Sequence, residues 1–210
     1  MAQQLRTNPT ASHERGDELI SYEEFLETTD GVHAEWVDGR IIPMSAVSDA
    51  HQGLKGYVDH VLRTYVEEFD LGEVRDEPFQ MKTGPDLPGR SPDVMFIAKK
   101  NLKRLKRMYL DGPADLVIEV TSPGTRLVDR GAKYYEYERG GVREYWLLDP
   151  ERKLAEFYIL DRNRIYRPAT LEAGGIFRSS VLKGFWIEVG WLWNRSRPTA
   201  AKLLKAWSAK

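Results

Sequence analysis

Two short apolar runs, each carrying a carboxylate, constrain this chain more than any other feature. They are Asp93-Val94-Met95-Phe96-Ile97-Ala98 and Asp115-Leu116-Val117-Ile118-Glu119-Val120. Nearly continuous apolar runs of this length mark strands covered on both faces of a sheet. Alternation puts Val117 and Glu119 on one face and Leu116, Ile118 and Val120 on the other. An ionised Glu119 without a partner there costs several kcal/mol or more, so it must be protonated, paired or bound to a metal. Asp93, behind Pro92 at the head of its strand, poses the same question. Two acids on separate buried strands can share a divalent cation, and oxygen-only ligands suit Mg²⁺ or Mn²⁺. The alternative is that Asp93 caps a turn and Glu119 pairs with a buried Lys or Arg. On the residues alone both stay open.

Around these strands the chain reads as a mixed α/β protein, a central sheet flanked by helices. Residues 1–18 are expected to form a flexible leader, 19–193 one domain and 194–210 a basic tail. Ser21 with Glu24 three residues on predicts a short helix. Residues 33–45 predict a hairpin turning at Asp38-Gly39. Apolar residues at helical spacing between Leu54 and Val66 predict a long helix from about Ser48 to Phe69. Residues 73–82 read as extended, with Pro78 pointing to an edge or bulge. The segment between the two apolar strands is expected to hold one short helix ending near Asp111-Gly112-Pro113. A helix from about Leu127 to Arg139 should stop at Gly140-Gly141. Residues 143–149 read as another buried strand. Arg152 to Leu160, Arg164 to Pro168 and Gly184 to Glu188 then suggest a strand meander, and Ala200 to Trp207 a short amphipathic helix. Helices do not alternate regularly with strands, which argues against a Rossmann fold.

At 210 residues, 41% hydrophobic and 30% charged, the chain suits one well-filled soluble domain. No apolar run approaches the roughly 20 residues that span a bilayer, so no membrane partner is expected. With no cysteine, disulfides, thiolate nucleophiles and cysteine-ligated zinc are excluded, and a cytoplasmic location is permitted. Walker A, GxGxxG, GxSxG and HExxH patterns are absent, and His13, His33 and His60 lack ligand spacing. A net charge of −1 gives no global attraction to nucleic acid. A local patch could: Lys99, Lys100, Lys103, Arg104, Lys106 and Arg107 fall within nine residues. They read either as a solvated face or as phosphate contacts that position DNA without reading its sequence. His51 could contact a phosphate or simply sit near a helix start. Lys133 follows Asp129 by four residues on the next helix. That pair is either a surface ion pair worth a few tenths of a kcal/mol or brings an ammonium to the two carboxylates.

Ser91-Pro92-Asp93, the strand 115–120 and Ser122-Pro123 fall in an order that resembles the Uma-type putative restriction endonuclease family, within the PD-(D/E)xK nuclease superfamily. Glu35-Trp36-Val37-Asp38-Gly39, His51-Gln52, Asp129 with Lys133 and Tyr137, and Gly141 to Pro150 add to the resemblance. Each motif alone is weak; their order and spacing together are specific, over about Tyr22 to Trp191. The resemblance implies a restriction endonuclease-like core of four mixed strands, carrying the N-terminal hairpin and the C-terminal β-extension. It implies Asp93, Glu119 and the Val120 carbonyl as ligands of Mg²⁺ (or Mn²⁺), with Glu35 completing the acidic pocket. The reaction implied is metal-dependent hydrolysis of DNA phosphodiester bonds. In the superfamily a lysine stands two residues after the glutamate, where this chain has Thr121, so Lys133 becomes the candidate from the next helix. Two hypotheses follow: a Mg²⁺-dependent deoxyribonuclease, and a non-catalytic module of the same fold binding DNA or a protein partner. The aromatic segment Phe185-Trp186 and Trp191-Leu192-Trp193 is expected to seal the core or a homodimer interface.

Overall fold

The computed structural model describes residues 19–29, 32–194 and 196–209; the expected leader, 1–18, lies outside the described residues. Ser21 Oγ accepts from the Glu24 N–H at 3.1 Å and opens α1 (Tyr22–Thr28), as an N-cap hydroxyl does. The hairpin is β1 (Ala34–Val37) and β2 (Arg40–Pro43). Its turn residues Asp38 and Gly39 take φ of 48° and 81°, the left-handed pair that matches strand twist. Ser48 caps α2 (Asp49–Glu68) through the His51 N–H. The extended stretch is two strands, β3 (Gly72–Asp76) and β4 (Gln80–Lys82), which part company around Pro78 and join different sheets. Then come β5 (Gly89–Arg90), β6 (Val94–Ala98), β7 (Tyr109–Asp111) and β8 (Leu116–Val120). Helices α3 (Arg126–Arg130) and α4 (Ala132–Gly140) lead to β9 (Glu144–Asp149), β10 (Leu154–Leu160) and β11 (Tyr166–Pro168). The chain closes with β12 (Ile176–Arg178), β13 (Trp186–Glu188) and α5 (Ala200–Ser208).

Six strands form a mixed sheet in the order β11-β10-β9-β8-β6-β3, in which only β8 and β9 run parallel. The four strands implied by the resemblance are thus extended to six. The face bearing Phe96, Ile118 and Trp146 packs on α2, with Leu203 and Trp207 of α5 completing that core. The opposite face, with Met95, Val117 and Tyr145, packs on Tyr137 of α4 and on Met81 and Leu110 of a second sheet. That sheet has the order β2-β1-β5-β4-β7, so the hairpin leans over the end of the main sheet.

Three expectations need correction. Residues 99–104 form a 3₁₀ turn, and the rest of the basic segment runs into β7 rather than a helix reaching Asp111. The helix expected over Leu127–Arg139 is broken at Gly131, where a Cβ would stand 2.7 Å from the Leu127 carbonyl oxygen. β13 does not continue the meander but pairs with β12 in a separate two-stranded sheet. Phe185 and Leu192 are buried, and Trp186, Trp191 and Trp193 pack against them, so the aromatic segment seals the core. No described helix is long and apolar enough to cross a membrane.

Candidate active site

Four carboxylates and one ammonium meet where the two sheets touch. The register of β6 on β8 pairs Val94 with Ile118; carried one step further, it sets Asp93 across from Glu119. Asp93 Oδ2 accepts from the Val120 N–H at 2.7 Å, which fixes the turn of chain entering β6. Glu35 arrives from β1, whose partner strand β5 runs through Ser91 and Pro92 directly into β6. Its two oxygens accept from Arg90 Nη1 at 2.8 Å and from the Ser91 N–H at 3.2 Å. The Gly131 break turns α4 so that Lys133 points inward. Its Nζ lies 3.1 Å from Glu119, 3.3 Å from Asp129 and 3.5 Å from Glu35. One turn later Tyr137 donates to Glu119 Oε1 at 2.7 Å. Asp93, Glu119, Glu35, Asp129 and Lys133 are each at most 6% exposed, yet all five line one cavity of about 500 Å³.

The charges do not balance, and the ionisation of the site follows from that. Burial pushes the Glu119 carboxyl well above the ordinary range; Lys133 pulls it back, while Asp129, Asp93 and Glu35 push the same way as burial. Asp129 is raised too, again by burial first. Burial pulls the Lys133 ammonium down, but the three carboxylates around it outweigh that and hold it well above its usual value. Glu35 goes the other way: burial raises it, and Lys133, Arg90 and the Ser91 N–H together bring it below the ordinary range. The site therefore holds one firmly charged ammonium among acids whose charge is only partly compensated.

Asp93, Glu119, Lys133 and Glu35, singled out in the sequence, are thus brought together. His51 also reaches the cluster, with Nε2 3.5 Å from Asp93 Oδ2. The basic segment is not brought there. It leaves the far end of β6, about 20 Å from Asp93 at 3.3 Å per residue. Lys99 pairs with Asp70, Lys106 lies 3.8 Å from Asp111, and Arg104 donates to the Pro113 carbonyl. Sequence reasoning missed Arg90, which bridges Glu35 to Glu136 at 2.7 Å. It also left open that the Asp129–Lys133 pair lies on a helix surface; both partners are buried.

The model of the Uma2 family, described as "putative restriction endonuclease", matches residues 21–190. The chain belongs to this family. The crystal structure of a putative nuclease from Anabaena variabilis shares the fold, with a TM-score of 0.62 at 16% identity, over 76% of this chain and 88% of that one. No curated protein matches.

Like its fold, the donor set of this Uma2 protein can be tested against a divalent cation. Among the described residues no three His, Asp or Glu side chains form a ready-made cage. Two carboxylates on one cavity wall nevertheless suit Mg²⁺, which keeps most of its water and takes one or two protein acids. Ser91 Oγ and His51 Nδ1, of residues lining the same cavity, have no hydrogen-bond partner among the described residues, which is the surrounding a hydrated ion satisfies. The residues fit the ion.

Arg90→Met tests the scaffold. It strips Glu35 of its guanidinium neighbour and Glu136 of a bidentate one, and is expected to cost about 3 kcal/mol at neutral pH, as breaking a buried pair does. A carboxyl held low in the folded protein adds stability above about pH 4 and loses it as pH falls through the lowered value. Urea titrations should therefore show the gap between wild type and variant closing in acid. A gap independent of pH would place the loss elsewhere.

Proposed function

We infer that this chain is a metal-dependent endonuclease that hydrolyses DNA phosphodiester bonds in the acidic cavity. The observation that carries the reading is the convergence of Glu119, Glu35 and Asp129 on one buried ammonium, in a cavity that Asp93 also lines. In this reading Asp93, Glu119 and the Val120 carbonyl hold Mg²⁺ or Mn²⁺. The bound ion would polarise a phosphoryl oxygen and supply activated water. Lys133 stabilises negative charge building on the phosphate or on the attacking water. Glu35 keeps that ammonium in place, and Arg90 keeps Glu35 in place. Tyr137 occupies one oxygen of Glu119, so that the other is left for the cavity.

The competing reading, a module that binds without cutting, draws on Thr121 at the superfamily's lysine position. Against it stands the surplus of buried acids, which costs stability and serves no purely structural end. Conversion of supercoiled plasmid to nicked circles in Mg²⁺ or Mn²⁺, stopped by EDTA, is the expected result. Plasmid left intact in both metals overturns the catalytic reading in favour of the binding module.

A further inference from the structure

A second cavity, of about 700 Å³, opens beside the first. The two share His33 and Glu77, whose Nε2 and Oε2 atoms lie 3.0 Å apart. Their charge differs in sign. In the first, five carboxylates face only Arg90 and Lys133, both buried. The second carries Lys55, Arg75 and Arg107 against Asp76 and Glu77. Lys55 is consumed by those two acids, at 3.4 and 3.0 Å. Arg75 pairs with Glu73, which is outside the lining. Arg107 is exposed and makes no ion pair among the described residues. Part-exposed Phe79 and Met108 line the same cavity.

Phosphate neutralisation dominates the affinity of proteins for nucleic acid. Among the described residues that line the first cavity no lysine or arginine is exposed, since Arg90 and Lys133 are both buried. The charge has to come from next door, and there it comes with apolar and aromatic side chains. Cations that track the backbone, set among flat apolar surfaces that take base faces, are how single strands are held. A stacked duplex offers phosphates but hides its base faces. The carboxylates at the cavity floor are likewise within reach of a strand that has left its stack.

We propose that the second cavity binds the nucleotides flanking the scissile phosphate of an unpaired nucleic-acid strand. Arg75 and Arg107 take phosphates, and Phe79 and Met108 pack on a base. The placement of the scissile phosphate rests on the nuclease reading; the binding of the strand does not. Of the six basic residues singled out in the sequence, only Arg107 takes part.

Fluorescence anisotropy with a short labelled oligo-dT strand in EDTA tests it without turnover. The wild type should bind the strand more tightly than its dT·dA duplex. Arg75→Ala/Arg107→Ala should weaken strand binding about tenfold near 0.1 M salt and lower the salt slope by roughly 0.7 per cation. Arg107→Glu, at an exposed site without an ion-pair partner among the described residues, replaces the double variant if that fails to fold. Lys100→Ala/Lys103→Ala removes the same charge from the exposed basic segment and should weaken binding less. Equal losses in the two double variants, or equal wild-type affinity for strand and duplex, overturn the proposal. Failure of plasmid nicking alone would sink the nuclease reading and leave this result standing.

Discussion

Glu119→Gln should abolish cleavage, by about a thousandfold or more, while making the metal-free protein more stable. The amide keeps the shape of the side chain and can still accept from Tyr137, so packing is preserved. What disappears is a charge that the folded protein tolerates badly. Burial, seconded by Asp129, Asp93 and Glu35, holds the Glu119 carboxyl well above its ordinary value. A carboxyl raised on folding is at its most favourable when protonated and loses stability as pH climbs through the raised value. Removing its charge should therefore add about 1 kcal/mol at pH 8, a rise of roughly 2–4 °C in Tm. The gain should vanish near pH 4, where both forms are neutral. Lys133 is not orphaned, because Asp129 and Glu35 remain within 3.5 Å. If Glu119 were simply the partner of a buried lysine, the same substitution would cost 3–5 kcal/mol, the toll of a broken buried pair. Thermal unfolding of the metal-free variant across pH 4–8 decides between the two, and a large loss at neutral pH sinks the metal-site reading of this residue.

The residues most legible in the sequence were those whose chemistry conflicts with their neighbourhood. Glu119 inside Leu116–Val120 and Asp93 at the head of Val94–Ala98 could be singled out because a buried charge demands an explanation wherever it occurs. Caps and turns were equally legible, since Ser21, Ser48 and Asp38-Gly39 act within three or four residues of themselves. What could not be read was whatever depends on distant chain segments. Arg90 sits on a strand of two residues, too short to show any periodicity, and its role appears only when β1 lies against it. Asp129 and Lys133 announce a pair four residues apart, but spacing does not say whether that face meets water or protein. The break at Gly131 was hidden because the apolar and polar residues of 127–139 fit one continuous helix. Only the close approach to the Leu127 carbonyl distinguishes it. The pairing of β12 with β13 was missed for the same reason: a strand's partner is chosen by the assembled core, here around Phe177 and Ile187.

Lys133→Met is expected to do the opposite of Glu119→Gln to stability and the same to activity. The substitution fills similar space but withdraws the ammonium that touches Glu119, Asp129 and Glu35. Breaking a buried pair from one side costs about 3–5 kcal/mol because the other side is left charged and desolvated, and here three acids are left. Cleavage should fall by at least a hundredfold, as loss of one charge-stabilising group does. The stability loss should shrink as pH falls toward 4, since Glu119 and Asp129, already raised by burial, take up protons and cease to need the ammonium. Adding Glu119→Gln to the variant should return part of the stability and none of the activity, a non-additivity expected only for groups in contact. Thr121 supplies the last step. It lies two residues beyond Glu119 and is buried, with its hydroxyl unpaired. Thr121→Lys in the Lys133→Met background moves the ammonium from the helix to the strand without changing the number of charges. Partial recovery of plasmid nicking would mean that the reaction needs a cation at that spot, whichever element delivers it. Normal nicking by Lys133→Met itself would remove the lysine from the chemistry, and no recovery from a folded double variant would mean that a cation on the strand cannot take its place.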